Sequence, residues 1–232
     1  MKNILNEKPV LELNARLRQS INFVNDSDIQ NKKVLDIGCG FGWFELNALN
    51  RGVKEITGIE ITKKDLKAAK TIKDNRAIFK IGGALKLPFK DKYFDTVVAW
   101  EVIEHIPNNS ENRMFREVNR VLKKNGKFYL STPYDSILSK YLDPAWWLIG
   151  HRHYTSEKLI NLGMKSNFQV EEVFVKGGIW TLISLLNLYT SKWLFRRGPF
   201  FSRNLINKEI LEYDSNKKGF MGIFIKYKKV NT

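Results

Sequence analysis

The sequence is poor in the features that mark secreted and membrane-spanning proteins. Its 232 residues include one cysteine, Cys39, and this excludes a disulfide framework. No apolar signal-peptide core follows Met1, so we expect a cytoplasmic protein. The apolar stretch at residues 179–189 is too short to span a bilayer, which needs roughly 20 residues. With no internal repeat or low-complexity tract, residues 1–232 are predicted to form a single domain.

Acidic residues are scarce relative to basic ones. The chain has 39 Lys and Arg against 24 Asp and Glu, a formal net charge of +15. Residues 178–232 hold ten of the basic and three of the acidic residues, so part of the excess is local. This balance favours an anionic partner such as nucleic acid, an acidic membrane surface or a phosphorylated compound, although a lysine-rich proteome would give the same composition.

A strand, a glycine-rich loop and a helix are predicted in direct succession near the N-terminus. Residues 34–37 are apolar and favour a strand, and residues 43–50 favour a helix closed by Gly52. Between them lies the glycine loop, residues 38–42, whose free N–H groups would face a bound cofactor. A dinucleotide fingerprint needs a glycine three residues after Gly40, but Trp43 stands there.

An acidic residue follows the second predicted strand. Residues 55–59 favour a strand that ends at Glu60, about 20 residues beyond the glycine loop. A carboxylate at this strand tip is placed to accept hydrogen bonds from ribose hydroxyls. Ile61 would then lie against an adenine ring.

The stretch Asp36-x-Gly38-x-Gly40-x-Gly42 resembles motif I of the class I S-adenosylmethionine-dependent methyltransferases. With its other motifs, the resemblance covers roughly residues 33–176, and the closing strand more weakly. It implies an α/β fold, a Rossmann-like three-layer sandwich with a mostly parallel seven-stranded sheet. The last strand would run antiparallel between strands five and six. It also implies an enzyme with S-adenosylmethionine as methyl donor.

The resemblance assigns a set of cofactor-binding residues. Asp36 and the glycine loop would meet the methionine end, Glu60 the ribose, and the Trp100 backbone would border the cofactor. The segment around Gly83 departs from the family pattern, which has an acidic residue there for the adenine amino group, so backbone groups would replace it. The full predicted set is Asp36, Gly38, Cys39, Gly40, Gly42, Glu60, Ile61, Gly83, Ala84 and Trp100.

Candidate catalytic residues follow strand four and the predicted lid. All three histidines, His105, His151 and His153, fall in two segments predicted to face one another, and a neutral imidazole is a competent base. We predict His105, Glu101 and His153 as catalytic, although His105 could instead cap a turn.

The pattern Glu101-x-x-Glu104-His105 resembles metal-assisted O-methyltransferases of ubiquinone synthesis and small-RNA terminal 2′-O-methyltransferases. In the latter a later histidine completes the ligand set. A divalent metal is thus an open alternative, but none is predicted.

Several segments surround the predicted sheet. Apolar spacing predicts one helix over residues 8–25, part of an N-terminal flank at 1–30, a helix over 65–74, and a helix from Ser110 ended by Gly126. Aromatic residues at 133–155 suggest a substrate lid. The apolar and basic insertion at 178–215 would be a membrane-interface helix or a pocket wall, with a buried crossover helix as the alternative.

We therefore expect a cytoplasmic methyltransferase, with peripheral membrane contact left open. It would methylate an oxygen, with a nitrogen or a carbon as the alternative, of a small, lipid-like or glycan-linked acceptor. An RNA methyltransferase is an alternative, although nucleic acid is the weaker partner because no RNA-binding module accompanies the charge. A non-catalytic cofactor-binding partner subunit is a further alternative.

Overall fold

The computed structural model describes residues 8–11 and 13–230, and within them the chain forms a three-layer α/β sandwich. The strands of the sheet are β1 Lys33–Ile37, β2 Glu55–Glu60, β3 Ala77–Ile81, β4 Phe94–Trp100, β5 Leu122–Pro133, β6 Phe168–Lys176 and β7 Gly222–Lys229. The helices are α1 Ala15–Phe23, α2 Trp43–Asn50, α3 Leu66–Ala69, α4 Glu111–Val121, α5 Ile137–Leu142, α6 Pro144–Ile149, α7 Ser156–Met164, α8 Ile179–Trp193 and α9 Ser202–Asp214.

In the described part of the chain the sheet has seven strands in the order β3-β2-β1-β4-β5-β7-β6. Strands β1 to β5 pair in parallel, and β7 is antiparallel to both β5 and β6. The predicted fold class, including the position of the last strand, is confirmed. Because β1, β4 and β5 are adjacent and parallel, their carboxyl ends open on the same edge of the sheet, where ligands bind in this architecture.

Apolar side chains cover both faces of the sheet. On one face Leu35 and Ile37 pack with Phe115 of α4 and Leu159 of α7. The opposite face packs against α1, α2 and α9, where Phe23 makes edge contacts with three aromatic rings: Tyr129, Phe174 and Phe224. Burial of these two apolar layers is the main stabilising contribution to the sandwich.

Three helices begin or end at residues other than those predicted, and the first two are the N-terminal helix and α4. The N-terminal helix is Ala15–Phe23 rather than 8–25, because the Asn14 side chain accepts a hydrogen bond from the Leu17 N–H and starts the helix there. Helix α4 ends at Val121, and Gly126 lies inside β5 instead of closing the helix.

The helix predicted over residues 65–74 is also shorter than expected. Only Leu66–Ala69 is helical, and Leu66 and Ala69 are its buried residues. The Thr71 hydroxyl donates to the Ala68 carbonyl, a local bond that competes with continuation of the helix.

Two further segments differ from their sequence patterns. The aromatic stretch after β5 contains the short helices α5 and α6, although it has no helical periodicity. Helix α8 is not a buried crossover helix, since Leu182 and Ser191 are its only fully buried residues among those described. No helix in residues 8–11 and 13–230 is long and apolar enough to cross a membrane.

Candidate active site

The glycine loop turns tightly at the carboxyl end of β1. Gly38 has a φ of +76°, and a Cβ there would lie 2.6 Å from Val102 Cγ2. Gly40 has a φ of +52°, and a Cβ there would meet nothing within 4 Å. The Gly40 N–H donates to Glu60 Oε1 at 2.9 Å, so the structure brings the tip of β2 to the loop. The loop is packed on its inner side and open on its outer side.

Two carboxyl groups are buried beside the loop. Both oxygens of Asp36 and both of Glu45 have no hydrogen-bond partner among the described residues. Burial raises the pKa of Asp36 above its usual range and raises the pKa of Glu45 to about 8. Buried polar groups are normally paired, so these oxygens indicate a position for a ligand that donates hydrogen bonds.

The remaining predicted cofactor residues differ in their surroundings. Trp100 is buried with its ring 5.8 Å from that of Phe44, and its Nε1 has no partner in the described part of the chain. Ala84 is buried, whereas Ile61 is 75% exposed. Cys39 is buried, and burial raises the pKa of its thiol, which makes it an inert packing residue.

Glu101 stands immediately after β4 in a strained conformation. Its φ of +55° is unusual for a residue with a side chain. Its Oε2 lies 2.6 Å from Arg16 Nη1, and its Oε1 accepts a hydrogen bond from the Ser131 hydroxyl at 2.7 Å. Both oxygens are thus engaged, which favours a positioning role for Glu101 over that of a base.

The histidines of the two predicted segments meet. His105 Nε2 and His151 Nε2 are 3.1 Å apart, so one ring donates a hydrogen bond to the other. Burial lowers the pKa of both rings, which keeps them neutral near pH 7. His153 lies apart from this pair, with its ring 5.2 Å from that of Trp146 and its Nε2 3.2 Å from Asp143 Oδ2.

Glu104 completes a cluster with the histidine pair. Its Oε2 accepts from the Thr132 hydroxyl at 3.0 Å, while Oε1 has no partner among described residues, and burial raises its pKa well above the usual range. One ligand atom each from Glu104, His105 and His151 lies within 4.8 Å of the others. This set of one oxygen and two nitrogens could hold a divalent cation. The predicted partner Glu101 is not in the group.

Arg152 fixes the turn that carries these groups. Its guanidinium donates to the carbonyls of Ile103 at 2.6 Å, of Glu104 at 3.2 Å, and of Ile106. It also donates to Glu111 Oε1 at 2.8 Å, at the start of α4. One side chain therefore ties the segment before Tyr154 to the turn after β4.

A cavity of about 390 Å³ adjoins the histidines. Its walls include Glu101 and His151 at one side and residues of α8 and α9 at the other. The apolar lining residues are Pro133, Leu185, Leu188, Pro199, Leu205, Ile206 and Met221. The cavity has the size of a small-molecule pocket, and its apolar side chains are interspersed with polar ones both at the sheet edge and on α8 and α9.

Sequence reasoning missed several residues of this site. Arg16, Glu45, Asp143, Arg152 and Glu209 were not predicted, because each is placed by contacts with residues distant in the sequence. Arg152 stands between two predicted histidines, and that position was the only available signal.

Together, the parallel sheet edge, the glycine loop and Glu60 define a nucleotide-cofactor-binding protein of Rossmann-like type. The Methyltransferase domain family matches residues 35–130, the segment from β1 to β5. This match, with a ubiquinone biosynthesis O-methyltransferase among the relatives and S-adenosylmethionine-dependent methyltransferases among the similar structures, supports a class I methyltransferase whose methyl donor is S-adenosylmethionine.

Two of the curated relatives with similar sequences are named as O-methyltransferases. The chain is 33% identical over 103 residues to 27-O-demethylrifamycin SV methyltransferase of Amycolatopsis mediterranei, covering 42% of this chain and 37% of that protein. It is 28% identical over 163 residues to ubiquinone biosynthesis O-methyltransferase of Pelagibacter ubique, covering 64% of this chain and 66% of that protein. The chain thus spans less than two thirds of the length of either relative.

The fold is shared with a solved structure. The crystal structure of an S-adenosylmethionine-dependent methyltransferase from Mesorhizobium loti superposes with a TM-score of 0.67 at 18% identity, covering 95% of this chain and all of that one. At this identity the likeness concerns the fold alone.

The residues present fit S-adenosylmethionine. The unpaired, buried oxygens of Asp36 suit the cationic methionine end, and the open space beside Gly40 leaves room for the ligand. Glu60 offers carboxylate oxygens next to the loop for the ribose.

Proposed function

We propose that this chain transfers a methyl group to an oxygen of a small, largely apolar acceptor. The observation that carries the proposal is the cavity, which extends from His151, one member of the neutral histidine pair, to the apolar side chains of α8 and α9. O-methyltransferases among its relatives support the same reaction type.

The cofactor, when bound, supplies an electrophilic methyl group on a sulfonium. Asp36 would hold the methionine end and Glu60 the ribose. The N–H groups of the four loop residues Gly38, Cys39, Gly40 and Gly42 are bonded within the protein, so the loop would contribute mainly the open space beside Gly40. Such positioning is the main contribution of a protein to an in-line displacement.

At the acceptor, the histidine pair accepts the hydroxyl proton. The Nε2 atoms of the neutral His105 and His151 rings are hydrogen-bonded to each other, so the hydroxyl proton is taken up at the Nδ1 lone pair of the ring that donates this bond. The resulting charge is then shared across the bond between the two Nε2 atoms. Glu101 holds Arg16 at the cavity wall, and Arg152 fixes the turn that carries His105. The acceptor oxygen then forms its bond to the methyl carbon as the carbon–sulfur bond breaks.

The test is incubation with methyl-labelled S-adenosylmethionine and fractionated cell extract, with and without a chelator. We expect the label in an apolar small molecule, as an alkali-stable methyl ether. Label in RNA would contradict the proposed acceptor class. Binding of the cofactor with no labelled product in any fraction would favour a non-catalytic subunit.

The chelator arm addresses the cluster of Glu104, His105 and His151. Loss of transfer with chelator, and recovery on adding one divalent cation, would assign a metal to this cluster. Unchanged transfer would leave proton uptake to the histidine pair alone.

A further inference from the structure

Large apolar side chains project into solvent between α8 and α9. We define the tip segment as residues 192–203. Leu194 is 74% exposed and Phe201 is 81% exposed, and the neighbouring Trp193 and Phe195 are more than half exposed. Soluble proteins seldom expose large apolar groups in a contiguous patch, so this patch indicates an interaction surface.

The tip segment is also positively charged. It contains Lys192, Arg196, Arg197 and Arg203, and the three arginines are exposed. No acidic residue occurs between Glu172 and Glu209. Aromatic rings next to arginines, with no opposing charge, suit the interface of an anionic bilayer, where rings lie at headgroup depth and arginines meet phosphates.

The tip segment has a defined shape. The Asn187 side chain of α8 donates to the Phe200 carbonyl at 2.6 Å and accepts from the Phe200 N–H at 3.2 Å. The ring of Phe200 lies 5.4 Å from that of Phe195, and the Arg197 guanidinium lies 4.3 Å from the Phe200 ring centre. The exposed groups are thus held in place by α8.

Two residues of the tip segment are held in unfavourable backbone conformations. Arg196 has a φ of +50° and Phe201 a φ of +47°, in the left-handed region that costs residues with side chains free energy. Phe201 gains no burial in exchange. Strain that presents an aromatic ring to solvent is explained by a role outside folding.

A second apolar segment, formed by α5 and α6, borders the 390 Å³ cavity next to His151. Helices α5 and α6 expose Ile137, Tyr141 and Trp147, and Asp143 between these helices lines the cavity. Pro199 of the tip segment lines it as well. Both segments therefore contribute to the wall of this cavity.

We propose that the tip segment docks this protein onto an anionic lipid bilayer, so that an apolar acceptor enters the cavity from the membrane. Entry of the acceptor from the membrane rests on the proposed function, whereas the docking itself does not. Binding of this kind is peripheral: arginines pair with lipid phosphates and aromatic rings insert to headgroup depth.

The test is cosedimentation of the full chain with sucrose-loaded vesicles. Vesicles of phosphatidylcholine with 30% phosphatidylglycerol, roughly the anionic share needed for a strong surface potential, are compared with pure phosphatidylcholine. We expect binding to the anionic vesicles that weakens as salt rises. Since each basic residue near such a surface contributes about fivefold, Arg196→Gln with Arg197→Gln should lower the partition coefficient about 25-fold.

Matched controls separate the tip segment from overall charge and apolarity. Lys70→Gln with Lys73→Gln removes two exposed charges elsewhere and should bind nearly as the parent does. Phe201→Ser should weaken binding, whereas Leu211→Ser, at a position 71% exposed on α9, should not.

An equal loss of vesicle binding in the Arg196/Arg197 and Lys70/Lys73 double variants would overturn the proposal, because binding would then depend on net charge alone. Equal binding to neutral vesicles, or absence of binding, would also overturn it. A dimer in solution that dissociates in the Phe201→Ser variant would overturn it too, because the tip segment would then bind a second copy of the chain. The assay contains no cofactor, so docking can fail while methyl transfer stands, and the reverse also holds.

Discussion

The two imidazoles at the sheet edge are the residues on which the proposed chemistry depends. Their Nε2 atoms face each other, and burial favours the neutral form of both. A neutral pair can take up one proton without placing a second positive charge beside the sulfonium.

His105→Ala should lower the rate of methyl transfer by about 10²–10⁴-fold, the usual contribution of a general base. Affinity for S-adenosylmethionine should stay unchanged, because His105 is not among the cofactor-binding residues. His153→Ala is the comparison, since its ring lies against Trp146 and near Asp143 rather than at the pair. Initial rates of label transfer to the acceptor measure the activity of both variants. An equal loss of rate in the two variants would refute the assignment of His105 as the base.

Glu209 in the cavity wall gives a prediction about pH. Burial raises its pKa from 4.5 to about 7, so between these values the folded state keeps a proton that the unfolded chain has released. The free energy of unfolding therefore falls as pH rises through this window, and the loss is complete above about pH 7.

The Glu209→Gln variant does not lose stability in this way, because the glutamine side chain does not ionise. Its Tm should exceed that of the parent by a few degrees at pH 8, and by less than half as much at pH 5. Thermal unfolding at both pH values measures the difference. Glu172→Gln, at an exposed position of β6, is the control and should alter Tm equally at both. A pH-independent gain in Glu209→Gln would show that Glu209 is ionised in the folded protein.

At the scale of elements, the glycine loop depends on its close approach to the turn after β4. Gly38→Ala combines a positive φ with a Cβ 2.6 Å from Val102 Cγ2, so it should displace the loop and abolish cofactor binding. Gly198→Ala adds the same atom where nothing lies within 4 Å, outside the predicted cofactor-binding set, and should fold and bind the cofactor nearly as the parent does. Calorimetry and thermal unfolding compare the two, and normal affinity in Gly38→Ala would contradict this geometry.

The turn after β4 depends in the same way on Arg152. Arg152→Lys keeps the charge but loses the planar set of donors that reaches several carbonyls and Glu111, at a cost of about 2–4 kcal/mol of stability. Arg113 donates to the Leu85 carbonyl, and Arg113→Lys should cost under about 1 kcal/mol. Denaturant unfolding distinguishes them, and similar midpoints would contradict the role of Arg152.

The elements that follow local patterns were predictable, and those set by distant contacts were not. Strands β1, β2 and β4 are short apolar runs, and their order followed from the resemblance carried by the glycine loop. Helices α5 and α6 lack helical periodicity, and the bridge between Arg16 and Glu101 joins residues 85 positions apart. No local pattern encodes such a pair, because it forms only when α1 packs beside the end of β4.

For the whole molecule, the sandwich places two unlike surfaces at one edge of the sheet. The glycine loop and the buried carboxyls form the polar site that we propose for the methyl donor, and α8 with α9 adds the apolar cavity that we propose for the acceptor. Val102, in the turn that carries His105, lies against Gly38 of the loop, and His151 lines the cavity, so the histidine pair adjoins both.

Titration calorimetry of the full chain with S-adenosylmethionine tests the central claim most directly, with nicotinamide and flavin dinucleotides as comparisons. The account predicts one-to-one binding of S-adenosylmethionine and affinity at least about tenfold lower in Asp36→Asn, which loses a charged partner for the methionine end. Absence of heat with S-adenosylmethionine, together with tight binding of either dinucleotide, would contradict it.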